Sequence, residues 1–161
     1  MVGMNRLGKS LAAFALCLVA GVVVGILPAA AAGNPDRQLL PVTPDFYIPW
    51  CGDVGPVLVH TVVEKQAVKT FTRRDGTVVL AFNGRLVTAL SANGKTVTLN
   101  TSGPGRIYFR PDGSIALIGA GLNLVGNPTG FWFYSGYLEL TPDGLVVSHH
   151  GGTTDVCAML T

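Results

Sequence analysis

Four dipeptides, Asp75-Gly76, Asn93-Gly94, Asp112-Gly113 and Asp143-Gly144, cut most of this chain into short segments. Aspartate and asparagine tolerate left-handed backbone and glycine enters it without steric cost, so each pair marks a tight hairpin turn. Pro111 and Pro142 stand directly before two of them and strengthen the signal, because proline pre-sets the first corner of a turn. A fifth break, Gly126-Asn127-Pro128-Thr129-Gly130, has the same character. The segments between these breaks are rich in β-branched and aromatic residues with period-two patterning, which predicts antiparallel strands joined by hairpins.

The alternation is clearest after Asp75-Gly76. Val78, Leu80, Phe82, Leu86 and Leu90 share one parity, and Thr77, Asn83, Arg85 and Ser91 share the other, so one face is expected buried and the other wet. Gly84 falls on the buried parity and predicts a bulge or sharp bend within one long strand, in preference to an Asn83-Gly84 turn that would split it. Val97 and Leu99 continue the pattern, as do Ile107 and Phe109 between outward Arg106, Tyr108 and Arg110. Leu145, Val147 and His149 form the last inward row. Only the tail has helical spacing: Thr154-Asp155 can cap a short helix that turns Val156, Met159 and Leu160 inward with Cys157. Long glycine-broken strands curl strongly. The fold expected is therefore all-β, a small antiparallel β-barrel of about 7–8 strands with a short C-terminal helix and one disulfide. A two-layer sandwich is the less favoured alternative, because neither cysteine lies in mid-strand facing a core tryptophan.

Before this domain come two other segments. Residues 1–32 read as a signal peptide: Arg6 and Lys9 are basic, residues 11–27 are apolar, Pro28 breaks the run, and Ala29 to Ala32 offer the small residues a signal peptidase cuts behind. The apolar run is near the ~18 residues of a membrane span, but the proline and alanines favour cleavage, so no membrane span is expected afterwards. Residues 33–55 form a proline-rich extended lead-in, with Pro35, Pro41, Pro44 and Pro49 excluding a helix. Residues 56–161 form the barrel with its helix.

Cleavage removes two of the eleven Lys and Arg and none of the nine Asp and Glu, so the formal charge falls from +2 to zero. A neutral chain without a basic stripe argues against nucleic acid as a partner. Cleavage also removes Cys17 and leaves Cys51 and Cys157, an even pair suited to an oxidising compartment. A disulfide between them closes a loop of about 100 residues, for which chain entropy gives about 4–5 kcal/mol. The localisation expected is secreted, either extracellular or in the cell envelope.

With these residues in view, the chain resembles a family of small secreted actinobacterial proteins of unknown function. The resemblance rests on the alanine-rich leader, Cys51-Gly52, the run Leu90-Ser91-Ala92-Asn93-Gly94-Lys95-Thr96 and Ser102-Gly103-Pro104. It extends to Pro111-Asp112-Gly113-Ser114, the Gly136 strand ending in Pro142-Asp143-Gly144, and Asp155-Val156-Cys157-Ala158. It implies a barrel similar in shape to lipocalins or allene oxide cyclase, and fold alone confers no function.

The chemistry-bearing residues are few. Adjacent residues on a strand point to opposite faces, so His149 and His150 do not share a metal. His149 and His60 would meet if both faced the interior, as a weak ligand or acid/base site. Glu64, Glu139 and Asp155 are unpaired in spacing, and no nucleophile elbow, phosphate loop or cofactor motif is present. The unusual stretch is Phe131, Trp132, Phe133 and Tyr134, aromatic on both faces, so one set must meet something other than an ordinary core. That set is expected either under the lead-in or terminal helix, or on a ligand pocket or partner surface. The small residues of 115–124 offer room beside it. The function expected is a secreted non-enzymatic binding or interaction module for an apolar small molecule or lipid. The alternatives are a small enzyme (isomerase, cyclase or hydrolase) in the barrel mouth and a structural envelope protein. No oligomeric state follows from the sequence.

Overall fold

The computed structural model describes residues 37–161, so the predicted signal peptide, Cys17 and the start of the lead-in lie outside the described residues. The strands are β1 (Arg37–Leu39), β2 (Phe46–Ile48), β3 (Val57–Thr72), β4 (Val78–Ala92), β5 (Lys95–Asn100), β6 (Gly105–Phe109), β7 (Ile115–Asn127), β8 (Gly130–Leu140) and β9 (Val146–Asp155), followed by helix α1 (Val156–Met159). All paired strands are antiparallel, in the spatial order β1-β3-β4-β6-β7-β8-β9. The lead-in is thus more than a spacer. It lays β1 and β2 end to end along one edge of β3, where its prolines do not interrupt a central ladder. β5 and β6 share the edge of β4 in the same way.

Each of the five sequence breaks is a turn. Asn93 and Gly94 both have positive φ (+51° and +73°), the two-residue hairpin that matches strand twist. The loops at 73–77, 110–114 and 141–145 share one build. The first residue's amide donates to the fifth residue's carbonyl, the glycine amide donates back to the first carbonyl, and the glycine takes φ near +80°. In two of them an aspartate also accepts an amide two residues on, Asp75 from Thr77 (2.9 Å) and Asp112 from Ser114 (2.8 Å). The Thr77 amide and hydroxyl at Asp75, and the Ser114 hydroxyl and amide at Asp112, hold both carboxyls below the usual carboxylate range.

The sidedness of β3 and β4 departs from simple alternation at two places. The register shift falls at Val62 on β3, between Thr61 and Val63, and not at Gly84, whose pairing with Gln66 is continuous. Gly84 instead has φ +135° on an exposed stretch, where a Cβ would collide with the Lys65 carbonyl oxygen. It bends one unbroken strand. At the start of β4, Val78 and Leu80 are half-buried while Val79 is fully buried on the opposite face. Its cross-strand neighbours Phe71 and Tyr108 flank it, and the Arg73 guanidinium lies 4.9 Å over the Tyr108 ring, giving that face a small apolar roof of its own. The predicted inward row also fails: Leu145 is exposed because it belongs to the 141–145 turn, and Val147 because it is the extra residue of a bulge on the edge strand β9, opposite Glu139 and Leu140.

Across β7, β8 and β9, Gly121, Gly136 and Gly151 stand side by side in register with φ of +81°, +106° and +140°. This row is a crease along which the three-stranded sheet doubles back. Laid straight, the 11 residues of β8 would span about 36 Å. Yet Asn127, beyond one end of β8, donates from Nδ2 to the carbonyl of Gly144 beyond the other, at 3.2 Å. Trp132, Tyr134 and Val125 from above the crease therefore pack on Leu117, Leu138 and Leu140 from below it. Glycine is required here. A Cβ on Gly136 would collide with the His150 carbonyl oxygen, and one on Gly151 with that of Ser135.

The sheet curls into a loose barrel. Among the described residues no ladder joins β9 to β1 or β2. The two edges are tied instead by the Cys51–Cys157 disulfide, which links the end of the lead-in to α1 across 106 positions. Asp155 caps α1 by accepting the amides of Cys157 (2.8 Å) and Ala158 (3.3 Å). Val156 and Leu160 then join Ile48, Val54, Val57, Val59, Leu90 and Phe131 in the larger core cluster. Trp50 packs against Gly126 of β7, where a Cβ would come to 2.8 Å from the indole ring.

The crease predicts unequal costs for two glycine substitutions. Gly136→Ala combines unfavourable φ (about 1–3 kcal/mol) with a backbone collision and is expected to lose at least ~3 kcal/mol in urea unfolding. Gly113→Ala, in a turn with open space around it, should lose only about 1 kcal/mol.

Candidate functional site

His60 and His149, which would meet only if both faced the interior, are not brought together. On β3 the inward residues are Val57, Val59 and Thr61, which puts His60 outside with Leu58 and Val62. There His60 Nδ1 meets Asp45 Oδ1 of the lead-in at 2.7 Å, with both side chains about half exposed. His149 lies in the folded leaf. Its ring meets Tyr134 edge-on at 4.9 Å, and its Nε2 is buried without a hydrogen-bond partner among the described residues.

The aromatic stretch is covered on both faces. Phe131 and Phe133 belong to the core cluster containing Trp50 and the α1 residues. Trp132 and Tyr134 face the other way, onto the lower half of the same sheet across the crease. Burial pushes the Tyr134 phenol above its ordinary value. Tyr137, beyond the crease, is exposed and donates to Glu139 at 3.2 Å.

The described cavity lies elsewhere, inside the curl of β4, β6, β7 and β8, and has a volume of about 90 Å³. None of Phe131, Trp132, Phe133, Tyr134, His60 or His149 borders it. Its origin is a cross-sheet row, Phe82, Gly105, Gly119 and Leu138, in which the two middle positions have no side chains. Leu86, Ile107, Leu117, Val125 and Leu140 complete an aliphatic wall, with polar groups contributed by Gln66, Thr101, Arg106 and Asn123. Arg106 belongs to an exposed position, and the Thr101 hydroxyl is engaged by Thr88 Oγ1 (3.2 Å) and the Leu86 carbonyl (3.4 Å).

Asn123 is the residue that the sequence analysis missed. The crease at Gly121 folds its carboxamide back over Gly119, where a Cβ would lie 2.7 Å from Asn123 Oδ1. Its Nδ2 is buried without a hydrogen-bond partner among the described residues. The small residues of 115–124 did signal room, and Gly119 supplies it. Its partner Gly105 lies on another strand, however, and only the register places them together.

Nothing in this arrangement pairs a nucleophile with a base. Asp155 is spent on the α1 cap, and Glu64 accepts the Gln66 amide at 2.7 Å. Among the described residues no group of three or more His, Cys, Asp or Glu is placed to hold a metal, and no helix is long and apolar enough to cross a membrane. No protein family, no curated protein and no solved structure matches this chain.

Glu64 stands opposite cavity-lining Leu86, and burial raises its pKa from the ordinary 4.5 more than the Gln66 amide lowers it. A raised folded value means that the native state holds this proton more tightly than the unfolded chain does. Stability therefore falls as pH rises from 4.5 through the folded value. Glu64→Gln keeps the acceptor and cannot ionise, so it should match the native protein near pH 4 and exceed it at pH 7 in urea unfolding.

Proposed function

We propose that this chain is a secreted, non-enzymatic binding module that takes a small apolar molecule, or the end of a lipid chain, into the cavity beside Gly105 and Gly119. The observation that carries this reading is Gly105. A Cβ there would meet nothing closer than the Ile118 carbonyl oxygen at 3.7 Å, and its φ lies outside the left-handed region, so backbone geometry does not demand glycine. A strand glycine that is not forced gives up packing and order. Here it keeps open a hole that one aliphatic side chain would fill.

Size and lining select the ligand class. At about 90 Å³ the cavity is smaller than the engineered 150 Å³ apolar cavity that holds benzene, and far below the ~300–1,000 Å³ of drug-sized pockets. It suits a molecule of a few heavy atoms or the tip of an alkyl chain. The leader-like N-terminus and the disulfide support an extracellular setting. The enzyme alternative would act through His60 or His149, and neither of them borders this cavity.

Xenon or n-pentane titrated into the native protein should shift the methyl resonances of Ile107, Leu117 and Leu138. Gly105→Val should abolish the shifts while being about 0.5–2 kcal/mol more stable, as expected when a void is filled. Absence of a response in the native protein, or an unchanged response in Gly105→Val, would contradict the proposal.

A further inference from the structure

We propose that the outer face built from Arg37, Leu39, Lys65, Lys69 and Arg85 docks this protein on an anionic lipid bilayer, the four cations meeting headgroup phosphates and Leu39 reaching between them to the acyl boundary. The proposal is independent of the cavity.

The four cations are scattered in the sequence, and only the register gathers them. Lys65 of β3 stands directly opposite Arg85 of β4, and Lys69 directly opposite Arg37 of β1. Like charges directly opposite one another destabilise a sheet, and here two such pairs lie about 13 Å apart along β3. All four residues are exposed. No carboxylate offsets them. Among the described residues the one ion pair joins His60 to Asp45, while Glu64, the neighbour of Lys65, has the opposite parity and accepts the Gln66 amide. Edge strands do carry charge to deter pairing with other chains, but either sign serves that purpose and it does not set cation against cation. One face is thus positive, although the chain without its leader has no net charge.

Leu39 selects the partner. It lies between the two like-charge pairs, opposite buried Ala67, and at 75% it is the most exposed large apolar side chain among the described residues. Lys65 and Lys69 are its diagonal neighbours across the ladder at roughly 7–8 Å, and Arg37 stands two positions before it on β1. Val42 and Tyr47 of the lead-in are exposed as well. A soluble polyanion gains nothing from an aliphatic side chain ringed by cations. A bilayer interface takes both, with phosphates at its surface and hydrocarbon beneath them.

Cosedimentation of the disulfide-intact protein with vesicles tests this. The protein should bind vesicles of equimolar phosphatidylglycerol and phosphatidylcholine, not vesicles of phosphatidylcholine alone, and should be released in about 1 M salt, where the Debye length is about 3 Å. Lys65→Gln combined with Arg85→Gln should weaken binding about 25-fold, about 5-fold for each charge, with no loss of urea stability because a repulsion is removed. Leu39→Ser should weaken vesicle binding at least about 3-fold and leave binding to dextran sulfate unchanged. In the native protein a spin-labelled lipid should broaden the Leu39 methyl resonances and spare that of Ala158, exposed on α1, which packs at the Val57 end of β3. That readout decides by itself if a variant does not fold. Failure to bind the anionic vesicles, equal binding to both kinds, unchanged binding in the charge variant or in Leu39→Ser, or broadening at Ala158 in place of Leu39 would overturn the proposal. Binding to dextran sulfate without binding to vesicles would overturn it in favour of a soluble polyanion.

Discussion

The sheet has two edges that backbone hydrogen bonds do not join, and the fold depends on how they are held. A closed barrel removes its edges by pairing them, which adds a ladder and excludes water at the same time. Here the Cys51–Cys157 bond connects the segment between β2 and β3 to the helix that follows β9. By chain entropy a cross-link of that span contributes about 4–5 kcal/mol, comparable with a small domain's whole net stability. What the bond gathers is apolar: Ile48, Trp50 and Val54 from one edge meet Val156 and Leu160 from the other, over Leu124 and Phe131. The covalent tie and this side-chain plug together do what a closing ladder would.

The glycine crease is the second device, and it sets where the molecule has space. Doubling β7, β8 and β9 on themselves turns one sheet into two layers and gives Trp132 and Tyr134 a partner surface made from their own strand. It also swings Asn123 over Gly119 and so defines one wall of the cavity. The Asn127 to Gly144 hydrogen bond pins the doubled leaf shut at its tips. Curvature and the smaller core therefore share a cause, because both follow from strands that can bend sharply only where no Cβ is present, and the same bend adds Asn123 to the wall of a cavity opened by Gly105 and Gly119.

Much of this was legible from residue order alone. The five turns, the single bent strand through Gly84, the Asp155-capped helix and the disulfide are local or pairwise features, and each rests on residue types with strong physical preferences. Sidedness was legible only in part. Parity tells which residues share a face, not which face is inside, so it groups His60 with Leu58 and Val62 but leaves open that this row of β3 faces outward. The crease was illegible because its three glycines lie on three strands and acquire meaning only in register. The same holds for Gly105 and Gly119. The aromatic stretch was recognised as needing cover on two sides, and the second cover proved to be the sheet itself.

Amide hydrogen exchange on the oxidised and the reduced protein tests most directly whether a cross-link, and not a ladder, closes this sheet. Reduction should strip protection first from β9, α1 and β2, the elements at the seam, while the amides shared by β3, β4 and β6 stay protected. Uniform loss across the sheet, or a β9 edge as protected after reduction as before, would contradict the account.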